Sequence, residues 1–382
     1  MAGLSALMLF GCADDSDRPE MDGGLEERQE AQLEALIDRR TVDLPGGQSA
    51  PVLFRVPPDA LSLAIVVEGR DEGEYTISDW RDDSGAVMVR AEWWTTEDYT
   101  CFSCPNTVAW QGGGFAAIAP DSPDAILNPG EHSLLIEGAG PSEEVQLSVW
   151  VKRAAQLPQT GVLNLRLLFT GAYDWNSLAV QESSYFEAVM TRVGDVLGGA
   201  GISIGEISFV DIDPMFRTIG NTYGPANELA ALLKQSEGGA PDELSVFFVD
   251  ELFSGSSDEP RSPDPIIGLS ASPGPPLTQG TVNSGIVVTT WSTLSIPEEE
   301  RWPNALAHTI AHEAGHHLGL AHTTEFDGTT HDRLPDTPDD DRGNLMHADP
   351  DPELGTISPW QSRVLRGSMW VRHPADDGMG TR

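Results

Sequence analysis

His312-Glu313-Ala314-Gly315-His316-His317-Leu318-Gly319-Leu320-Ala321-His322 is the stretch around which the chain is organised. It spells H-E-x-x-H-x-x-G-x-x-H. His312 and His316 are four residues apart, so on a helix they share a face, one turn apart, and their imidazoles can converge on one metal ion. Glu313 stands beside them, placed to work on water at that metal rather than to ligate it. Gly319 can take the left-handed conformation that ends a helix and turns the chain, which would bring back His322 as a third ligand. Three imidazoles leave one tetrahedral position open, the pattern of a catalytic rather than a structural zinc. Eight of the nine histidines lie from His308 onward, a clustering that incidental core histidines do not require. His308 shares the face of His312 and is expected to support a ligand or fill the core, because a fourth nitrogen would block the open position. His317 lies about 100° around the helix from His316 and is expected to be structural or exposed.

Upstream of this helix, whose start Pro303-Asn304 marks, the chain alternates strand and helix. Val162-Leu-Asn-Leu-Arg-Leu-Leu-Phe169, residues 202–212, Leu244-Ser-Val-Phe-Phe-Val249 and Gly285-Ile-Val-Val-Thr-Thr290 read as strands. Residues 184–197 carry a helical period ended by Gly198-Gly199, and residues 227–235 a shorter one. Residues 268–280 read as a Gly/Pro/Ser loop. The fold class expected for residues 161–373 is α/β or α+β, a mixed twisted sheet with the metal helix last, followed by an irregular C-terminal part and a tail at 374–382.

The eleven-residue motif followed by Asn344-Leu345-Met346, with Met346 24 residues after His322, is the pattern of the metzincin zinc metallopeptidases. Within that clan the chain most resembles the pappalysin/cytophagalysin family, through His322-Thr323, then Leu334-Pro335-Asp336-Thr337-Pro338, then the methionine turn. A late Ile357-Ser-Pro-Trp-Gln361-Ser-Arg-Val-Leu-Arg366 resembles the helix that closes that family's domain. The resemblance implies His312, His316 and His322 as zinc ligands, Glu313 as the catalytic base, and Met346 as an apolar floor under the metal. Many metzincins carry a tyrosine two residues after the methionine. Ala348 stands there instead, so help for the oxyanion falls to His347, to another donor or to zinc alone. The resemblance also suggests calcium near Asp336 and Thr337, within a run holding five aspartates from Asp332 to Asp341. The competing reading of that run is a solvated acidic loop shaped by Pro335 and Pro338.

The N-terminal part is different. Val52-Leu-Phe-Arg-Val56, Leu61-Ser-Leu-Ala-Ile-Val-Val67, Ala86-Val-Met-Val-Arg90, His132-Ser-Leu-Leu-Ile136 and Val145-Gln-Leu-Ser-Val-Trp-Val151 are apolar runs separated by turn residues, with no helix between them. They predict a β-sandwich over residues 41–153, similar in layout to the pre-peptidase or jelly-roll domains of secreted bacterial proteases. Residues 154–160 read as a linker. Residues 13–40 read as an acidic spacer containing a short helix with few apolar positions to bury. Residues 1–12, an apolar segment ending in Cys12, resemble a bacterial lipoprotein signal whose cysteine is lipidated; the alternative is an ordinary buried segment. Cys101 and Cys104 are open to three readings: a short-loop disulfide, a redox or metal pair, or a thiolate that holds the zinc latent.

The chain carries 60 acidic against 22 basic residues, a formal net charge of -38, which repels nucleic acid and anionic membrane. The motif and the resemblance together imply an exported zinc metalloendopeptidase, a monomer in the cell envelope or secreted, acting on peptide or protein. The alternative is a catalytically silent, zinc-containing surface protein that binds a partner.

Overall fold

Apolar residues that recur at every second position must point to one side of a sheet, and in the C-terminal half both sides are filled. The computed structural model describes residues 31–69, 74–90, 107–111, 114–122, 126–139, 143–222, 227–255, 266–270, 279–290, 302–351 and 353–373.

Among the described residues, nine strands build the N-terminal half: β1 (Gln32–Asp43), β2 (Val52–Val56), β3 (Ala60–Gly69), β4 (Glu74–Arg81), β5 (Val87–Arg90), β6 (Thr107–Gln111), β7 (Gly114–Ala119), β8 (Gly130–Ala139) and β9 (Glu144–Arg153). They form two antiparallel sheets, ordered β1-β9-β3-β7-β6 and β2-β8-β4-β5. Leu63, Ile65 and Val67 alternate along β3 and meet Phe54, Ile77, Trp80, Leu134 and Ile136 in one core. Each such side chain contributes about 1.5–3 kcal/mol when buried, which makes the alternation a strong constraint on register.

The C-terminal half contains β10 (Gly161–Phe169), α1 (Ser184–Gly198), β11 (Ile202–Asp211), β12 (Thr218–Ile219), α2 (Glu228–Leu233), β13 (Glu243–Val249), β14 (Glu251–Leu252), β15 (Gly268–Ser270), β16 (Ile286–Thr289), α3 (Trp302–His317) and α4 (Pro359–Gly367). Its main sheet has the order β11-β10-β13-β16-β15; the first four strands are parallel and β15 runs antiparallel at the edge. Leu165, Leu167, Val246, Phe248, Ile286 and Val288 face a core shared with α1, α3 and α4. Leu168, Phe247, Val249 and Val287 face the opposite side and pack on α2. Burial on both faces explains the unbroken apolar runs of these strands. Among the described residues no helix is long and apolar enough to cross a membrane.

Two expectations change, and one strand escaped the sequence reading. Residues 32–40, read as spacer with a short helix, belong to β1, which pairs along β9 from Gln32–Arg153 to Asp43–Glu144. An open sheet edge offers hydrogen bonds along the strand, and this outweighs a weak local helical preference. The sandwich therefore starts before residue 41. The first residues of the expected 268–280 loop form β15, and the turn chemistry that follows hid a three-residue edge strand. Strand β4, with its bulge between Ile77 and Asp79, breaks the alternation by which it would have been read. Cys12, Cys101 and Cys104 lie outside the described residues.

Candidate metal centre

Helix α3 sits between the main sheet and the segments that follow it, and His312 and His316 project from one of its faces. The helix ends at His317; Gly319 then takes φ 113°, and Gly319 N–H bonds to the His316 carbonyl at 2.9 Å. A residue with a Cβ would be strained there. The reversal returns His322 to the open face. The three Nε2 atoms lie 3.2, 3.2 and 3.0 Å apart, pair by pair. Ligands around a tetrahedral zinc at 2.0–2.1 Å stand about 3.3–3.4 Å apart, close to what is found.

The outer nitrogens decide what the inner ones can do. His312 Nδ1 lies 2.7 Å from the Leu345 carbonyl, His316 Nδ1 2.9 Å from the Leu320 carbonyl, and His322 Nδ1 2.9 Å from Glu325 Oε2. Carbonyls and carboxylates only accept, so each Nδ1 carries the proton and each Nε2 presents a lone pair. Three lone pairs this close repel one another unless a cation lies among them. Burial, with repulsion between neighbouring rings, pushes His312 down to about 3 and His316 well below its ordinary value, which opposes a proton as that cation. These residues could hold a metal ion, and their donor set suits zinc.

Glu313 is buried beside the cluster, and desolvation pushes its carboxyl up to about 8. It packs against β15 at Gly268: a Cβ on Gly268 would lie 2.6 Å from Glu313 Oε1 and 2.8 Å from Thr309 Cγ2. Below the site Met346 is fully buried, and a Cβ on Gly315 would sit 2.5 Å from its sulfur. The turn that carries Met346 is locked. Asn344 Oδ1 accepts from Met346 N–H and from Gln361 Nε2, while Asn344 Nδ2 donates to Gln361 Oε1, each at 2.9 Å. The same turn supplies the Leu345 carbonyl to His312, and Thr323 N–H donates to the Met346 carbonyl at 2.9 Å.

His308 is buried, its ring stacked 6.2 Å from that of His312, and burial pushes it down to about 4, so it is neutral. His317 is fully buried, with Trp370 5.4 Å away between ring centroids, so it is structural. His347 Nδ1 accepts from Asp349 N–H at 3.0 Å, within its own turn. Asp336 caps α4, its two oxygens accepting from Ser358 Oγ and Trp360 N–H at 2.8 and 2.9 Å. Thr337 Oγ1 bonds to Asp332 Oδ1 at 2.6 Å. Sequence reasoning did not single out Glu325, Gly315, Gly268 or the Leu345 carbonyl. Gly315 had a sequence signal, a glycine inside a helix where alanine is favoured. Glu325 lies only three residues after His322, within reach of a local turn, whereas Gly268 and the Leu345 carbonyl arrive from distant segments that no local pattern encodes.

A comparison with protein-family models finds no match, and a comparison with curated protein sequences finds none either. Among solved structures the chain is similar to metalloproteinase-II from Bacteroides fragilis, with 15% identity and a TM-score of 0.30. The match covers 59% of this chain and 63% of that one, so it spans under two thirds of the other protein. A superposition that small assigns neither fold nor activity.

Proposed function

We propose that this chain is an exported zinc metalloendopeptidase of the metzincin type. The observation that carries the proposal is the convergence of three Nε2 lone pairs, each fixed by an acceptor on its Nδ1. The apolar floor of Met346 against Gly315 supports it, since the sulfur fills the space under the ligands without competing as one. Zinc would be held by His312, His316 and His322, and when bound it supplies a Lewis acid that acidifies water and polarises a peptide carbonyl.

The remaining work belongs to the chain. Glu313 is the base: its carboxylate accepts a proton from the attacking water and passes it to the leaving amine. Its buried setting raises its basicity, and a bound cation nearby opposes that shift. Strand β15 lies at the edge of the main sheet next to Glu313, so an extended substrate backbone can pair with its outer side. Phe326 is 81% exposed and stands edge-on to His322 at 6.4 Å, a surface for an apolar substrate side chain. Export and a lipid anchor at Cys12 rest on the apolar segment before it, and calcium at the 332–341 run rests on family resemblance.

The test is digestion of a diverse peptide pool, with and without a zinc chelator, read by mass spectrometry. Cuts that need zinc and vanish in Glu313→Ala are expected. Absence of zinc-dependent cuts from the parent would instead support a silent zinc-bearing binding protein.

A further inference from the structure

Among the described residues, two of the places where the sandwich meets the C-terminal half lead to the metal ligands. The first is the end of α4. A helix leaves its last carbonyls without partners, and these carry its negative partial charge. Here sandwich side chains occupy them. Lys152 of β9 is buried, and its Nζ donates to the carbonyls of Arg366, Ser368 and Val371 at 3.0, 2.5 and 2.6 Å. Ser62 of β3 donates from Oγ to the Gly367 carbonyl at 2.5 Å. Three successive carbonyls, 366 to 368, are thus satisfied by the sandwich. An ammonium has three hydrogens, and Lys152 uses all of them on this one segment. The Gly367 and Ser368 carbonyls lose these donors if the sandwich leaves, whereas the Arg366 carbonyl also lies 2.9 Å from His373 Nε2.

The second place is the turn between the ligands. Ile118 of β7 belongs to an apolar cluster with Ala64 and Met369, flanked by Leu33 and Trp150, which joins the two halves. A Cβ built on Gly319 would lie 3.7 and 3.9 Å from Ile118 Cδ1 and Cγ2, and 3.6 Å from Val364 Cγ1 of α4. The Gly319 turn is therefore held between the sandwich and α4. Helix α4 in turn carries Gln361, whose amide pairs with Asn344 in the turn that orients His312.

We infer that the sandwich is a permanent buttress of the working protein, not a prodomain to be removed, and that Ile118 and Lys152 are positioning residues for the metal ligands. The positioning part rests on the metal-centre reading; the permanence of the sandwich does not. Ile118 acts on His322 through the Gly319 turn. Lys152 acts on His312 through α4, Gln361 and Asn344.

The experiment places a protease recognition sequence at the exposed Ala155-Gln156 pair in the linker of the full chain. After cleavage the two pieces are expected to co-elute in size exclusion, and zinc transfer to a competing chelator is expected to keep the rate of the intact chain. Lys152→Met and Ile118→Ala, as intact chains, are expected to release zinc about tenfold faster, at a temperature well below unfolding. Lys152→Arg and Ile118→Val are the milder pair, expected to fold and to show smaller shifts in the same direction. A role in stability alone would lower the melting temperature and leave zinc release unchanged, which overturns the positioning claim. Pieces that separate, with the C-terminal piece keeping zinc at the parent rate, overturn the buttress. If the parent takes up no zinc, the metal centre is refuted, while co-elution still decides whether the sandwich is permanent.

Discussion

Gly315→Ala is the perturbation in which local and tertiary rules give opposite answers. Gly315 lies inside α3, where replacing glycine by alanine is worth about 1 kcal/mol in favour of the helix. In the folded protein the added Cβ would stand 2.5 Å from Met346 Sδ and 3.2 Å from Met346 Cε. The sulfur is roughly 1 Å too near for ordinary contact, and Met346 is 0% exposed, so it has no free direction in which to move. Forcing a methyl group into a packed core costs about 1–3 kcal/mol. Met346 also shares its backbone turn with Leu345, so its displacement misaligns the carbonyl that fixes His312. The net expectation is a loss of up to about 2 kcal/mol and zinc affinity about tenfold weaker. Thermal melting with and without zinc, together with chelator competition, reads both quantities. Gly315→Ala combined with Met346→Ala should recover part of the loss, since the second change vacates the space. A single variant that is more stable than the parent, with unchanged zinc affinity, would refute the packing argument.

Four further outcomes are expected. Glu313→Gln should abolish peptide cleavage while retaining zinc, measured by turnover and metal content; parent-like turnover would remove Glu313 as the base. The same variant tests its burial: the folded carboxyl is raised from 4.5 to about 8, so its contribution to stability is full below 4.5 and lost as pH rises through 8. The metal-free parent should therefore lose on the order of a few kcal/mol across that window relative to Glu313→Gln, read as diverging melting temperatures. Glu325→Ala should weaken zinc about tenfold by freeing the His322 ring, and Glu325→Gln should restore most of it by keeping an acceptor for Nδ1; equal effects of the two variants would mean that the charge, not the hydrogen bond, matters. Phe326→Ala should leave stability and zinc affinity unchanged, because the ring is exposed, while lowering kcat/KM for substrates with large apolar side chains; an unchanged cleavage preference in the peptide pool would exclude Phe326 from the substrate site.

Much of the metal centre was legible because it is local. The spacing of His312 and His316 is a helical turn, and Gly319 permits the reversal needed for His322, so composition and spacing together imply three converging rings. The strands of the main sheet were legible for a related reason: double-sided burial leaves long apolar runs, as in Leu244-Ser-Val-Phe-Phe-Val249. Strand β1 was not legible, because its signal is an edge on β9 more than 100 residues away rather than its own pattern.

The sequence by itself determined that three histidines and a glutamate can meet on one helix and its turn, since backbone dihedrals fix the helical period and need no distant partner. Only the tertiary structure decided which nitrogen His312 turns toward the cluster. The acceptor for His312 is the Leu345 carbonyl, 33 residues away and brought in by chain reversal, and the floor comes from Met346 against Gly315. The tertiary structure alone also placed Lys152 and Ser62 on the open end of α4. Unpaired carbonyls accept any donor that the fold delivers, and which donor arrives depends on the packing of distant segments, a property no local stretch of residues carries.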